Sequence, residues 1–331
     1  MVKLSLIVPV FNRPEEIQEL LQSLVVQSNK QFEILIIEDG SMDKCDRIVS
    51  AFEEQLDVKY FFKENSGPGT TRNYGCEKAT GNYFIFLDSD IIVPEEYIQI
   101  VLEELNGKFV DAFGGPDRAH PSFSNLQKAI NYSMTSIFTT GGIRGSKKAV
   151  DVFYPRSFNM GISEVVFNKT GGFSEMRFGE DLDFSMRILE QGFATRLFPD
   201  AFVYHKRRNN LRTFFKQINN SGIARINLYK RHPETLKLVH FFPAIFTLGL
   251  LLLILLSILR TSLFLLPLAF MAILFFADAA IRNRSITVGF LSVFTSFEQF
   301  VAYGSGFIKA FWKRIVLGKP EFHHFKKNFY K

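Results

Sequence analysis

Between Phe241 and Ile281 the only charged residues are Arg260 and Asp278, and no other feature limits the fold of this chain so sharply. Phe242 to Leu259 and Leu263 to Ile281 each supply close to the ~20 apolar residues with which a helix crosses a ~30 Å hydrocarbon core. A soluble protein can bury one such run as a core helix, but two in tandem predict a membrane-spanning hairpin. A third stretch, Ile286 to Ile308, is long enough to span but carries Glu298, Gln299 and several Ser and Gly. Three spans would carry the basic tail (Lys313, Arg314, Lys319, Lys326, Lys327, Lys331) across the membrane, against the preference of Lys and Arg for the cytoplasmic side. Two spans with an interfacial or re-entrant third segment keep the tail, Arg282 and Arg284 on the near side, and this arrangement is expected.

Ahead of the hairpin, charges are scattered from Met1 to about Pro233, as in a domain solvated by water. Met1 to Pro9 lacks the basic start, long apolar run and small-residue cleavage site of a secretory signal, so the large domain is expected in the cytoplasm and the chain in the inner membrane. Cys45 and Cys76 suit a reducing compartment and have no metal-ligand spacing. The net charge of +6 is concentrated in Lys206, Arg207, Arg208, Arg212, Lys216, Arg225, Lys230 and Arg231 and in the tail. Both flanks suit anionic headgroups. No aromatic-basic RNA motif or helix-turn-helix pattern accompanies them, so nucleic acid is not expected as a partner. Leu211 to Tyr229 sets Phe214, Phe215, Ile218, Ile223, Ile226 and Leu228 among basic residues, which predicts a helix on the membrane surface, the alternative being a helix packed on the large domain that precedes it.

The first two hundred residues alternate β-branched runs with amphipathic stretches, the pattern of an α/β fold with a mainly parallel sheet flanked by helices. Strands are expected at Lys3 to Pro9, Phe32 to Glu38, Val58 to Phe62, Tyr83 to Leu87 and near Val110 to Gly114. Helices are expected at Pro14 to Gln27, Lys44 to Gln55, Gly69 to Lys78 and Glu95 to Leu105. His120 to Pro155 reads as a looser region, its glycine run Gly141 to Gly145 either a mobile loop or a plain surface turn. Ligands of such sheets bind where strands end, which draws attention to Phe11-Asn12, Asp39-Gly40-Ser41 and Asp88-Ser89-Asp90.

Two carboxylates one residue apart at a strand end repel each other unless a cation lies between them, and Mg2+ or Mn2+ bridging phosphate oxygens meets that need. Asp88-Ser89-Asp90 has that form, although the same tripeptide is common in exposed turns. Glu180, Asp181 and Asp183 crowd the first turn of an amphipathic helix (Phe184, Met186, Ile188, Leu189). The helix dipole accounts for part of this, and a carboxylate there can also serve as general base to a hydroxyl. Arg72 lies in Asn65 to Asn73, a loop opening a helix, where phosphate is well received, although a surface salt bridge is the plainer account. His205, after the strand-like Ala201 to Tyr204, offers an imidazole nitrogen that can complete a cation's coordination.

Together these residues resemble family 2 of the glycosyltransferases, which have the GT-A fold. The matching pieces are Val8-Pro9-Val10-Phe11-Asn12, Glu38-Asp39-Gly40-Ser41, Gly67 to Asn73, Asp88-Ser89-Asp90, Asn159-Met160-Gly161, Gly172-Phe173 and Glu180-Asp181, spread over about Met1 to Asn210. The resemblance implies a catalytic domain over 1–210, an interfacial region over 211–235 and a membrane domain over 236–331. It implies that Pro9 and Phe11 line a nucleoside pocket, Asp39 holds the base, Arg72 lies near the nucleotide, Asp88 faces the sugar or ribose, and Asp90 and His205 hold the metal. Asp181 is then the base of an inverting transfer from a nucleotide-sugar, with a UDP-sugar favoured, and Glu180 stands near the acceptor. The Gln-x-x-Arg-Trp motif of processive synthases is missing, and the single tryptophan is Trp312. A single addition is therefore expected, and the hairpin and basic tail resemble those of bacterial members that build exopolysaccharide or other glycans on lipid carriers, which implies a lipid-linked or glycan acceptor. A nucleotidyltransferase would carry a Gly-rich basic loop where Phe11-Asn12-Arg13-Pro14 stands, and a non-catalytic scaffold would not need its acids intact.

Overall fold

The computed structural model describes residues 2–141, 153–176 and 178–321. Most of the expected glycine loop (142–145) and the tail residues Lys326, Lys327 and Lys331 lie outside them. The described residues form two compact units, one from 2–118 and 153–205, the other from 119–141 and 206–321.

The first unit starts with β1 (Leu4–Val10), α1 (Pro14–Val25), β2 (Phe32–Asp39), α2 (Asp46–Ser50), β3 (Val58–Lys63), α3 (Pro68–Lys78) and β4 (Tyr83–Leu87). In α1, Pro14 fits the first turn, Glu15 and Glu16 complement the dipole, and Ile17, Leu20, Leu21 and Leu24 form the buried face. β2 and β4 are buried at every position, which explains their unbroken apolar runs, whereas β3, at the sheet edge, is half-buried. α2 is shorter than the expected helix and gives way to turns before Gln55.

Next come β5 (Ile91–Ile92), α4 (Tyr97–Gly107), β6 (Ala112–Gly114) and β7 (Asp117–Arg118). Within the second unit the chain forms α5 (Asn125–Thr135) and α6 (Ile137–Thr140). The first unit is then completed by β8 (Asn159–Ser163), α7 (Glu164–Thr170), α8 (Glu180–Glu190), β9 (Thr195–Leu197) and β10 (Val203–His205).

The seven-stranded sheet has the order β3-β2-β1-β4-β8-β6-β9. It is mixed, because β8 runs antiparallel to both β4 and β6 while the other pairings are parallel. Gly161 permits that insertion: a Cβ there would lie 2.0 Å from the Phe113 ring. The order reverses between β1 and β4, so the carboxyl ends of these two strands flank a topological switch point. A separate three-stranded sheet, β5-β10-β7, was not evident from the sequence because its strands are two or three residues long.

The second unit adds α9 (Leu211–Arg231), α10 (Phe242–Leu259), α11 (Leu266–Asn283) and α12 (Ile286–Phe311) to α5 and α6. Three of the described helical stretches, Leu238–Leu259, Ser262–Asn283 and Ile286–Val316, are long and apolar enough to cross a membrane. The apolar face of α9 is not free: Phe214 and Ile218 join Ile130, Met134 and Ala302, and Ile226 joins Ala244, Phe307 and Ala310. The segment read as loose from sequence holds α5, which opens with a reciprocal cap between Ser124 and Gln127.

Candidate active site

Asp88 and Asp90 follow β4 at the switch point, and the small sheet brings the rest of the cluster to them. β10 pairs with β5 so that His205 lies opposite Ile91, next to Asp90, and β7 places Asp117 beside β10. Asn159 holds this arrangement, its side-chain amide donating to the Ala201 carbonyl at 2.8 Å and its oxygen accepting from the Tyr97 hydroxyl at 2.6 Å. His205 Nε2 lies 3.1 Å from one Asp90 oxygen, and Arg13 donates to the other at 2.6 Å. Burial works against ionisation of Asp90, but His205 and Arg13 overcome it and hold the carboxyl well below its ordinary range. Ligand atoms of Asp88, Asp90 and His205 all lie within 4.8 Å of one another. Two carboxylates and one imidazole suit a divalent cation, and the nitrogen donor suits Mn2+ better than the oxygen-demanding Mg2+.

The second acidic group starts α8, and Arg72 on α3 links it to the first. One guanidinium nitrogen is 2.7 Å from Asp88 and another 3.3 Å from Glu180. Asn73 fixes this span by donating to the Phe173 carbonyl at 2.9 Å and accepting the Phe173 amide at 2.8 Å, which clamps α3 to the approach of α8. Arg72 is buried, and its Nε has no hydrogen-bond partner among the described residues. Asp181 accepts from Arg156 Nε at 2.6 Å. Burial pushes the Asp181 carboxyl up, yet Arg156 outweighs it and keeps the group below its ordinary value. Glu180 goes the other way, raised to about 7 by burial first and by the neighbouring Asp181 charge second.

Asp39, at the end of β2, accepts from the backbone amides of Ser66 and Gly67, both at 2.9 Å, and pairs with Lys63 at 2.7 Å. In this structure it folds the turn that leads into α3. Gly40 next to it has φ +75°, and a Cβ there would lie 2.7 Å from the Asn65 amide, so the close approach of the two loops requires glycine. Half-buried Pro9 lies within β1 and half-buried Phe11 just past its end, close to that loop through Asn12, whose amide donates to Ser41 Oγ at 2.7 Å. The structure thus gathers Asp88, Asp90, His205, Arg72, Glu180 and Asp181 into one connected group, with Pro9 and Asp39 on β1 and β2 and Phe11 just past the end of β1. Sequence reasoning missed Arg13, Arg156 and Asp117. Arg13 lies just ahead of α1 and its partner Asp90 is 77 positions away, while Arg156 lies in a stretch with no periodic pattern, so neither had a local signal.

An open α/β sheet with a polar cluster at its switch point defines the broad class of doubly wound ligand-binding domains. Within that class, residues 5–168 match the profile of Glycosyl transferase family 2. An uncharacterized glycosyltransferase of Rickettsia felis is 36% identical over 146 residues, covering 43% of this chain and 23% of that protein. A GalNAc(5)-diNAcBac-PP-undecaprenol beta-1,3-glucosyltransferase of Campylobacter jejuni is 32% identical over 117 residues, covering 34% of this chain and 38% of its own length. The chain therefore spans well under half the length of these curated relatives. In fold it is similar to a mannosyltransferase of Pyrobaculum calidifontis solved with GDP-Man and Mn2+, with a TM-score of 0.60 at 16% identity over 95% of this chain and 88% of that one.

Proposed function

We propose that the chain is an inverting, GT-A-type hexosyltransferase that moves one sugar from a nucleotide-sugar to a lipid-linked or glycan acceptor at the bacterial inner membrane. The observation that carries this reading is Arg72, which ties the acids after β4 to the acids opening α8 within one network. Asp90, with Asp88 and His205, would hold the cation, which when bound supplies positive charge to a departing nucleoside diphosphate. Arg72, with its unpaired Nε, is suited to an oxygen of the donor, and the loop that Asp39 folds is suited to the nucleoside between Pro9 and Phe11. Asp181 is ionised by Arg156 and would accept the acceptor hydroxyl's proton on its carboxylate oxygen. Glu180, whose pKa of about 7 lets it carry or release a proton near neutrality, would bond another acceptor hydroxyl. A base and a charged leaving-group site at opposite ends of one displacement favour in-line attack and inversion. The C. jejuni relative, named for an undecaprenol-linked acceptor, favours a lipid carrier here as well.

The test uses the full chain in lipid nanodiscs with Mn2+ and a panel of UDP-, GDP- and dTDP-sugars, reading nucleoside diphosphate release and thermal stabilisation. One donor should stabilise the protein and be turned over. Asp181→Asn should retain donor stabilisation while losing turnover by a factor of at least about 100, the usual contribution of general-base catalysis. Full turnover by that variant would remove Asp181 as base, and no response to any donor would remove the reading itself.

A further inference from the structure

We infer that α12, although long and apolar enough to span, does not cross the bilayer but lies at the headgroup–acyl boundary, across the near ends of the α10–α11 hairpin, as a lipid-facing platform. Its contacts with the hairpin carry the inference. The buried residues of α10 are Ala244 and Thr247, both in its first two turns, and those of α11 are Phe275 and Ala279, in its last three. At its start α12 meets the end of α11, where a Cβ on Gly289 would lie 2.9 Å from Ala280 Cβ. Midway, the Phe300 ring lies 4.8 Å from Phe246 and 6.2 Å from Phe275. Further on, a Cβ on Gly304 would lie 2.3 Å from the Pro243 carbonyl at the beginning of α10. A spanning helix would move away from the end of α11 and the start of α10 as it descended. This one passes from the first to the second.

The covering of α12 agrees. From Thr295 onward its exposed positions up to Phe311 are Lys309 and Phe311, because α5 and α9 lie along it. Ser133 on α5 bonds Thr295 at 2.6 Å, and Asn219 on α9 donates to the Ala302 carbonyl at 3.1 Å. Beyond the helix, Arg314 donates to Asn227 of α9 at 2.9 Å. α9 exposes Arg212, Lys216, Lys230 and Arg231, charges that a crossing α12 would draw into hydrocarbon. Apart from Phe311 at its end, the exposed apolar residues of α12 are Ile286, Phe290 and Phe294, which repeat every fourth residue on one face and extend about 13 Å, less than half of a ~30 Å core.

The platform includes α6. Ser136 at its start bonds Asp278 in the closing turns of α11 at 3.3 Å, and a Cβ on Gly141 at its end would lie 3.8 Å from Val239 at the start of the first span. Between these two anchors Ile137 and Phe138 are 59% and 44% exposed. The occupant of this surface is the lipid leaflet, because the patch continues the lipid-facing surface of the hairpin and α9 adds the cations that anionic headgroups attract.

Single cysteines in the full chain test this, because native Cys45 and Cys76 are buried and give little background. A membrane-impermeant maleimide on intact cells should label Thr261→Cys in the hairpin turn, and should label Lys319→Cys only after permeabilisation. Labelling of Lys319→Cys in intact cells, or failure of Thr261→Cys to label there, overturns the topology. Depth is read with Phe294→Trp in a Trp312→Phe background. Lipid brominated near the headgroup should quench this tryptophan more than lipid brominated at the chain ends, and the reverse order overturns the interfacial position.

Discussion

At the scale of single residues, each acid of the site is met by an arginine: Asp90 by Arg13, Asp88 and Glu180 by Arg72, Asp181 by Arg156. Arg13 occupies a carboxylate that a cation would need. Replacing Arg13 with Gln should therefore tighten Mn2+ binding without nucleotide, on the order of tenfold from removal of one nearby positive charge. Manganese electron paramagnetic resonance on the full chain reads the change, and unaltered affinity would show that Arg13 does not compete. Glu180 provides a pH signature. Its folded-state pKa, about 7, lies above the ordinary 4.5, so its contribution to stability is full below pH 4.5 and is lost as pH rises to about 7. Glu180→Gln should accordingly gain melting temperature relative to the unaltered chain at pH 8 and gain less at pH 5. A difference that did not vary with pH would contradict this environment for Glu180. Asp88, Asp90, Arg72, Glu180, Asp181 and His205 stood out in the sequence because each follows a strand end or opens a helix. The arginines that neutralise Asp90 and Asp181 did not, since an ion pair between residues 77 positions apart, as for Arg13 and Asp90, leaves no local pattern.

At the scale of elements, hydrophobic period announced β1 to β4 and the helices between them, while strand direction stayed hidden. Nothing in the run Asn159 to Ser163 states that it must pair antiparallel with β4 and β6. Gly161 is the one local sign, since the Phe113 ring fills the place of its side chain and stacks on Phe198 at a centroid distance of 4.3 Å. Gly161→Ala should lower stability by about 1–3 kcal/mol through overpacking. Adding Phe113→Leu should recover part of the loss, as measured by thermal unfolding of both variants. A harmless Gly161→Ala would mean that β6 and β8 have more room than this geometry allows. The helix α5 was also legible in principle, because Ser124-x-x-Gln127 is a capping signature. It went unread because the partners of its apolar face, Phe214, Ile218 and Ala302, lie far along the chain.

At the scale of the whole molecule, composition announced the hairpin at once: bilayer thickness imposes a length on apolar runs that few soluble folds share. Composition could not tell how α12 is used, since 44% of its apolar stretch is buried against 11% in each of the other two, and burial depends on partners. The interleaving of the two units has a consequence in time. Ser133 leaves the ribosome 162 residues before Thr295, the residue it bonds. At ordinary rates of synthesis that interval is roughly ten to thirty seconds. Throughout it Ile130 and Met134 have no finished surface to dock on, so the nascent chain needs a chaperone or the lipid surface to shelter them until its last helices are made.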